Sequence, residues 1–206
     1  MTYPSGTRVL VWRLEEEAPQ LLALCRAAGI LVDDLINLPV KRQREKTAER
    51  LLLCHAFGRP VTLSHDEQGA PFIDGVEENV SITHTTQLVA VAVDENSIIG
   101  LDAEPADRSQ VLRVRDKFLN AAERRFITPD DLAAHIIAWT AKEAVIKAER
   151  NSAIDWTEGI VIEPFIVPDN LAEKLTFGTR CGRRCYGLTV WQAEGHFLTL
   201  AVPSKP

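Results

Sequence analysis

Two carboxylates stand two residues apart in the segment GLDAEP, which ends the apolar run VAVAVDENSIIGL. Residues two apart on a β-strand face the same side, at roughly 7 Å between Cα atoms, so Asp102 and Glu104 should project together while Leu101 and Ala103 face the core. Mg²⁺ binds oxygen ligands and commonly takes one or two carboxylates besides water and substrate phosphate. Gly100 favours such a site, because glycine within a strand often marks close approach by a ligand or another backbone. The segment is a candidate magnesium site, and the alternative is a solvent-facing strand end.

A second charged pair interrupts the apolar face of the predicted helix DLAAHIIAWTAKEAVIKAER. At about 100° per residue, Glu143 and Lys147 fall on the same side as Trp139. One interpretation is an ordinary salt bridge at i, i+4 spacing, which stabilises an exposed helix by about 0.2–0.5 kcal/mol. The other is a functional pair, because burying two charges costs several kcal/mol per ion and stability alone explains it poorly. Lys142 lies just off this face, either as a solvated lysine or as a phosphate contact.

The composition restricts the class of protein. The chain has 206 residues, 46% of them hydrophobic, with a formal net charge of −6. It contains no apolar run near the roughly 20 residues of a membrane span, no secretory signal pattern at its N-terminus and four cysteines without a repeated CxxC spacing. We therefore expect a globular cytoplasmic protein with reduced thiols, no membrane span and no general affinity for nucleic acid.

The elements that position these residues follow the order helix then sheet, twice. After a strand at 7–13, helices are predicted at 19–28 and 39–58, and strands at 60–64, 71–73, 80–84, 88–93 and 98–104. Helical periodicity returns at 107–127 and 130–150, and strands return from 159 to 202 with a hairpin turn at Glu194–Gly195. The sequence predicts an α+β protein of two similar α+β halves, residues 1–104 and 105–206.

Three segments resemble, in order and spacing, the 4'-phosphopantetheinyl transferases of the single-chain, two-half type. They are QGAPFI with SITHT, GLDAE, and WTAKEAVIKA. The family pattern is G-[IV]-D-x-E followed by W-x-x-K-E-[AS]-x-x-K, with Gly-Lys-Pro and Ser-His upstream. This chain departs from it at Leu101, at Ala70, which replaces the lysine of Gly-Lys-Pro, and at Thr83, which replaces the serine.

The resemblance implies a fold, a reaction and its partners. The two halves would pack as a pseudo-dimer within one chain. The reaction would transfer the 4'-phosphopantetheinyl group from coenzyme A to a serine of an apo acyl or peptidyl carrier protein, with Mg²⁺ or Mn²⁺, releasing 3',5'-ADP. The enzyme would work as a monomer.

The resemblance also implies roles for individual residues. Glu143 would be a metal ligand or the base for the serine proton, and Lys147 would act in catalysis and contact phosphate. The implied metal ligands are Asp102, Glu104 and Glu143. The implied coenzyme A-binding residues are Arg44, Arg50, Gly69, Pro71, Thr83, His84, Lys142 and Lys147.

The segment 107–125 is a candidate docking surface for the carrier protein. Its six basic and three acidic residues give a net charge of +3, the sign that an acidic carrier requires. Two other functions fit the sequence: a non-catalytic relative that binds coenzyme A or a carrier, and an unrelated Mg²⁺-dependent phosphoester hydrolase that shares only the D-x-E pair.

Overall fold

The computed structural model describes residues 6–168 and 174–204, and the chain divides into two compact units, Met1–Asn96 and Ser97–Pro206. The sequence prediction placed the boundary after residue 104. The second unit begins earlier because the strand Gly100–Pro105 pairs with the last strand of the chain, His196–Pro203. The predicted α+β class is confirmed, and the pseudo-dimer arrangement stays a prediction.

The first unit packs two helices on a small antiparallel sheet. In chain order its elements are β1 (Arg8–Arg13), α1 (Ala18–Ala27), α2 (Val40–Phe57), β2 (Leu63–His65), β3 (Pro71–Ile73), β4 (Asn79–His84) and β5 (Leu88–Asp94). The sheet has the order β1-β5-β4, and β2 and β3 form a separate hairpin. α2 ends as predicted at Gly58, whose φ of 66° is left-handed, a conformation that glycine adopts without strain. The apolar side of α2 packs on β5.

The second unit packs one long helix on a five-stranded antiparallel sheet. Its elements are β6 (Gly100–Pro105), α3 (Gln110–Arg113), 3₁₀ turns at Arg115–Lys117 and Glu123–Arg125, α4 (Leu132–Glu149), β7 (Ile160–Ile162), β8 (Leu175–Cys181), β9 (Arg184–Ala193) and β10 (His196–Pro203). The strand order is β6-β10-β9-β8-β7. α4 begins where Asp131 accepts a hydrogen bond from the Ala134 N–H at 2.9 Å, as a capping residue should, and it packs on β6 and β10.

The predicted helix at 107–127 is wrong as a continuous element, because the segment forms α3 and two 3₁₀ turns instead. Asn120 explains part of this break. Its side-chain oxygen accepts the backbone N–H groups of Ala122 and Glu123, both at 2.9 Å. An asparagine that binds nearby backbone in this way competes with helical hydrogen bonds.

The hairpin between β9 and β10 is confirmed at Glu194–Gly195. Both residues have positive φ, 49° and 71°, as a type I′ turn requires. The turn fixes the register in which Ala193 faces His196. In the ranges 6–168 and 174–204, no helix has both the length and the apolar character that crossing a membrane demands.

Candidate active site

The acidic pair lies on β6 with its apolar neighbours in the core, as predicted. Leu101 and Ala103 are buried, and Glu104 is half-buried. Asp102 is only 6% exposed, so the alternative of a solvent-facing strand end does not hold for this residue. A carboxylate buried to this degree requires cationic or hydrogen-bonding neighbours.

Gly100 marks close approach by another backbone. A Cβ atom at this position would collide with the carbonyl oxygen of Ala144 and lie 2.9 Å from the backbone nitrogen of Ala148. Both neighbours belong to α4. The glycine therefore lets α4 lie directly against β6, and this contact brings the charged residues of the helix to the acidic strand.

Lys147 joins the two elements. Its ammonium group donates to the Leu101 carbonyl oxygen at 2.8 Å and to Asp102 Oδ1 at 2.8 Å. The side chain is 30% exposed and that of Asp102 only 9%. The lysine therefore pairs with a carboxylate of the strand and remains partly open to solvent.

Glu143 lies one turn before Lys147 on α4. Burial raises the pKa of Glu143 above its usual range, and the nearby charge of Asp102 raises it further, while Lys147 and Arg108 oppose the shift. The charge of one carboxylate raises the pKa of another only when the two groups lie close together. The structure thus brings Asp102, Glu143 and Lys147 together.

Arg108 is a residue of this site that sequence reasoning missed. Its guanidinium group binds the carboxylate of Glu104 and lies 5.1 Å from the ring centroid of Trp139. From the sequence, Arg108 counted only as one charge of the candidate docking segment, because no local pattern marks a contact between a strand residue and a residue of the following turn.

The donor set fits Mg²⁺. Asp102 and Glu143 offer two carboxylates whose mutual repulsion a cation would relieve, and Mg²⁺ commonly binds one or two carboxylates with water and phosphate. Within residues 6–168 and 174–204, no group of three His, Cys, Asp or Glu side chains is arranged around a common metal position. Glu104, the third predicted ligand, is bound to Arg108.

Lys142 has a structural role, which corrects the prediction that it contacts phosphate. Its side chain is fully buried. The ammonium group donates to Glu123 Oε2 at 2.8 Å and to the carbonyl oxygens of Trp156 at 2.6 Å and Ile160 at 2.9 Å. These three bonds use all the donors of a lysine. Burial lowers the pKa of Lys142, and the charge of Glu123 opposes that shift.

Four of the residues predicted to bind coenzyme A lie on strands or turns of the first unit. Thr83 is buried near the end of β4 and His84 is half-buried beside it. Gly69, with a φ of 82°, makes the turn between β2 and β3, and Pro71 begins β3. These positions leave the binding role of the four residues as a prediction.

Arg44 and Arg50, the cations chosen from α2, are engaged within the first unit. Arg44 donates to the carbonyl oxygens of Glu16 at 2.8 Å and Leu14 at 3.1 Å. Arg50 makes two bonds to Asp34, at 2.9 and 2.6 Å, which raise the pKa of the arginine and lower that of the aspartate. These contacts show what holds the two arginines in place, and their role in phosphate binding stays a prediction.

Glu45 is another residue that the sequence analysis did not single out. It is 3% exposed. Its carboxylate lies 3.2 Å from Arg42, 3.9 Å from Lys41 and 3.9 Å from His84 Nδ1. His84 therefore shares the carboxylate of Glu45 with Lys41 and Arg42, the two basic residues at the start of α2.

Comparison with protein families finds a match within the second unit. Residues 98–192 match the family model described as the 4'-phosphopantetheinyl transferase superfamily, a range that includes β6 and α4 with their charged residues. This match confirms the superfamily that GLDAE and WTAKEAVIKA indicated, whereas QGAPFI and SITHT lie outside the matched residues. A comparison with curated proteins finds no match.

Proposed function

We propose that the chain, which carries a domain of the 4'-phosphopantetheinyl transferase superfamily at residues 98–192, transfers the phosphopantetheinyl group from coenzyme A to a carrier-protein serine. The observation that carries the proposal is the meeting of Asp102 on β6 with Glu143 and Lys147 on α4. The transfer forms a bond from the serine oxygen to phosphorus, breaks the pyrophosphate bond and releases 3',5'-ADP.

Glu143, Lys147 and Asp102 would each have a separate role in the reaction. Burial and the charge of Asp102 raise the pKa of Glu143, so its ionised carboxylate is a stronger base than that of an ordinary glutamate, as a base for the serine hydroxyl should be. Lys147 supplies positive charge where the phosphate oxygens become more negative. Asp102 holds Lys147 in place through their 2.8 Å contact.

Mg²⁺, or Mn²⁺ in its place, would be held by Asp102 and Glu143, with Glu104 as a further ligand. When bound, the metal would neutralise negative charge on the phosphate oxygens. The role of Glu143 as ligand and its role as base are both compatible with its position beside Asp102.

Coenzyme A recognition is assigned to the first unit as part of the proposal. His84, with Lys41 and Arg42 near it around Glu45, supports binding of a phosphate. Gly69 and Pro71 offer backbone to the nucleotide base, and Ala70 cannot supply the lysine side chain that the family pattern has there. We further propose a monomer that acts in the cytoplasm.

The carrier protein is assigned to the segment 107–125. Two of its charged residues are occupied elsewhere: Arg108 binds Glu104 and Glu123 binds Lys142. Five basic and two acidic residues remain exposed or half-exposed, for a net charge of +3. Electrostatic complementarity of this kind favours an acidic partner.

The experiment that tests the function is a mass measurement on candidate carriers. The protein is mixed with coenzyme A, Mg²⁺ and apo carriers of fatty-acid, polyketide and peptide synthesis, and each carrier is then weighed. We expect a mass gain of one phosphopantetheine on at least one carrier. Asp102→Asn should lower the rate by roughly 100-fold or more, the order seen when charge stabilisation is removed from an active site.

Asp130→Asn is the matched control, because Asp130 is exposed ahead of α4 and its replacement should leave the rate unchanged. Binding of coenzyme A without modification of any carrier would favour the non-catalytic relative. Breakdown of coenzyme A in the absence of a carrier would favour the hydrolase.

A further inference from the structure

We propose that Arg108 is the counter-ion of Glu104 in the metal-free protein, that the metal must displace it from this carboxylate, and that Arg108 therefore sets the affinity for the metal. The inference rests on the proposed function for the existence of a metal site on β6 and α4. It assigns a positioning role to a residue outside the D-x-E and W-x-x-K-E motifs.

Hydrogen bonds of the backbone after β6 fix the position of the Arg108 backbone. The N–H of Ala106 donates to the Gly195 carbonyl at 2.9 Å, and the N–H of Arg108 donates to the Pro105 carbonyl at 3.1 Å. This turn brings the side chain of Arg108 back towards β6, where it meets Glu104. The contact therefore follows from an ordered turn that is tied to the adjacent hairpin.

Trp139 provides a second anchor for the guanidinium group. The centre of the guanidinium lies 5.1 Å from the indole centroid, within the range of a cation–π interaction. The indole is itself held, with ring centroids 5.3 Å from Phe118 and 4.7 Å from Trp156. Arg108 can thus leave the carboxylate and keep its contact with the ring.

The charges of the site set up a competition between the metal and Arg108 for Glu104. Lys147 pairs with Asp102 and Arg108 pairs with Glu104, while both cations act on Glu143. These five side chains together carry a formal net charge of −1. Each member of the D-x-E pair has its own organic cation. A divalent metal brings the site to +1 and has to share these carboxylates with the side chains that already bind them.

Exposure permits the displacement. The side chain of Arg108 is 32% exposed and that of Glu104 is 18% exposed, so the guanidinium can return to water without unfolding the strand. A partly exposed charged pair contributes little net free energy, so its loss on metal binding has a modest cost. The competition should therefore change metal affinity by a measurable but limited factor.

The test measures Mn²⁺ binding to the full chain, without coenzyme A or carrier, from the electron paramagnetic resonance signal of free Mn²⁺. We expect Arg108→Gln to bind Mn²⁺ about three- to tenfold more tightly than the unmodified chain, because a competing cation is removed. Arg108→Lys keeps the charge but lacks the planar fork and should fall between the two.

The control is Arg183→Gln, which makes the same charge change on the exposed turn between β8 and β9. That turn lies at the end of the sheet opposite Glu104, because Glu104 pairs with Phe197 whereas Tyr186 pairs with Pro203. Its Mn²⁺ affinity should equal that of the unmodified chain. Thermal unfolding of each variant without metal verifies that it is folded.

Unchanged or weaker Mn²⁺ binding by both Arg108 variants would overturn the inference, since weaker binding means that Arg108 only supports Glu104. Absence of Mn²⁺ binding by every variant would overturn it as well. Tighter binding by Arg108→Gln in a protein that modifies no carrier would sustain the inference and reject the proposed transfer. Carrier modification by the unmodified chain, with unchanged Mn²⁺ affinity in the Arg108 variants, would reject the inference and sustain the proposed transfer.

Discussion

Glu143 lies where an ionised carboxylate is unfavourable, because burial and the charge of Asp102 both raise its pKa. A raised pKa in the folded state means that folding favours the protonated form. The stability that this contributes is complete below the pKa of the unfolded chain and is lost as the pH rises through the folded value. Wherever Glu143 is ionised, its charge therefore lowers the stability of the second unit.

We accordingly predict that Glu143→Gln stabilises the protein and abolishes transfer. The melting temperature at pH 7 should rise by roughly 2–4 °C, because a neutral amide replaces a disfavoured charge, and the carrier should gain no phosphopantetheine. The stabilisation should shrink as the pH falls through the raised pKa, since the unmodified Glu143 then becomes neutral too.

Thermal scans between pH 4 and pH 8 with a parallel mass assay measure both effects. Glu158→Gln serves as the control, because Glu158 is an exposed glutamate of the same unit. If Glu143→Gln melted below the unmodified chain at pH 7, the conclusion that the ionised Glu143 destabilises the folded protein would be contradicted.

The residues of the site could be predicted from sequence only where a local pattern defines them. D-x-E and the charged pair on the helix are local patterns, and the structure brings Asp102, Glu143 and Lys147 together. Lys142 could not be placed correctly, because its partners Glu123, Trp156 and Ile160 lie 14 to 19 residues away. Residues adjacent on a helix point about 100° apart, so one faces the core and the next faces the site.

At the scale of elements, the contact between β6 and α4 determines the geometry of the site. Gly100 on the strand meets Ala144 and Ala148 on the helix, and these small residues permit the two backbones to approach. The sequence indicated a close approach at Gly100. It could not distinguish a ligand from a second backbone, because both need the same absence of a side chain.

A buried ion pair ties α4 to the elements around it. The carboxylate of Glu123 accepts from Lys142 at 2.8 Å and from the backbone N–H groups of Asn120 and Ile162, both at 2.9 Å. Both side chains of the pair are fully buried. The network joins the helix, a 3₁₀ turn and β7, and every donor of the ammonium is used.

We predict that Lys142→Met destabilises the protein by about 3–5 kcal/mol, because it leaves the buried carboxylate of Glu123 without its cation. The double variant Glu123→Gln/Lys142→Met should lose less than the sum of the two single losses, since its members share one interaction. Urea unfolding measures all three free energies, and Lys117→Met is the control on an exposed lysine.

The same variant tests the structural role of Lys142 against a phosphate contact. At a temperature where Lys142→Met is folded, kcat/KM for carrier modification should stay within about threefold of the unmodified value, because the residue does not reach the substrate. A loss of transfer in the folded variant, with stability unchanged, would restore the role that the sequence suggested.

At the scale of the whole molecule, the charge is distributed unevenly. The chain carries a formal net charge of −6, yet the segment 107–125 presents five basic and two acidic side chains at its surface. Val111, Phe118 and Leu119 of this segment are buried, so they anchor it to the second unit. The basic side chains thus stand on a fixed piece of backbone.

The sequence predicted the order of helices and strands well, because apolar periodicity and turn residues are local. It placed the boundary between the halves too late along the chain, since β6 follows β5 in sequence but pairs with β10, almost 100 residues further on. It also joined the elements of 107–127 into one helix, because the cap at Asn120 is a weak signal beside helical periodicity. Long-range pairing is the part of the fold that local patterns do not contain.

The basic segment leads to the prediction that charge reversal weakens carrier recognition and leaves the chemistry intact. Arg113 and Lys117 are both exposed, whereas Arg115 is half-buried beside Asp116 at 3.9 Å and is the less suitable choice. For Arg113→Glu/Lys117→Glu we expect a KM for the carrier that is roughly tenfold higher and an unchanged kcat, because charges at the rim of an interface govern association more than the bound state.

The salt dependence distinguishes docking from a general loss of stability. With the unmodified chain, kcat/KM should fall as NaCl rises from about 0.05 to 0.5 M, because salt screens the attraction to an acidic carrier. The doubly reversed variant should show a much smaller fall, and Arg26→Glu/Arg183→Glu, which reverses two exposed charges elsewhere, should behave like the unmodified chain. Equal salt dependence in all three proteins would place the carrier on a different surface.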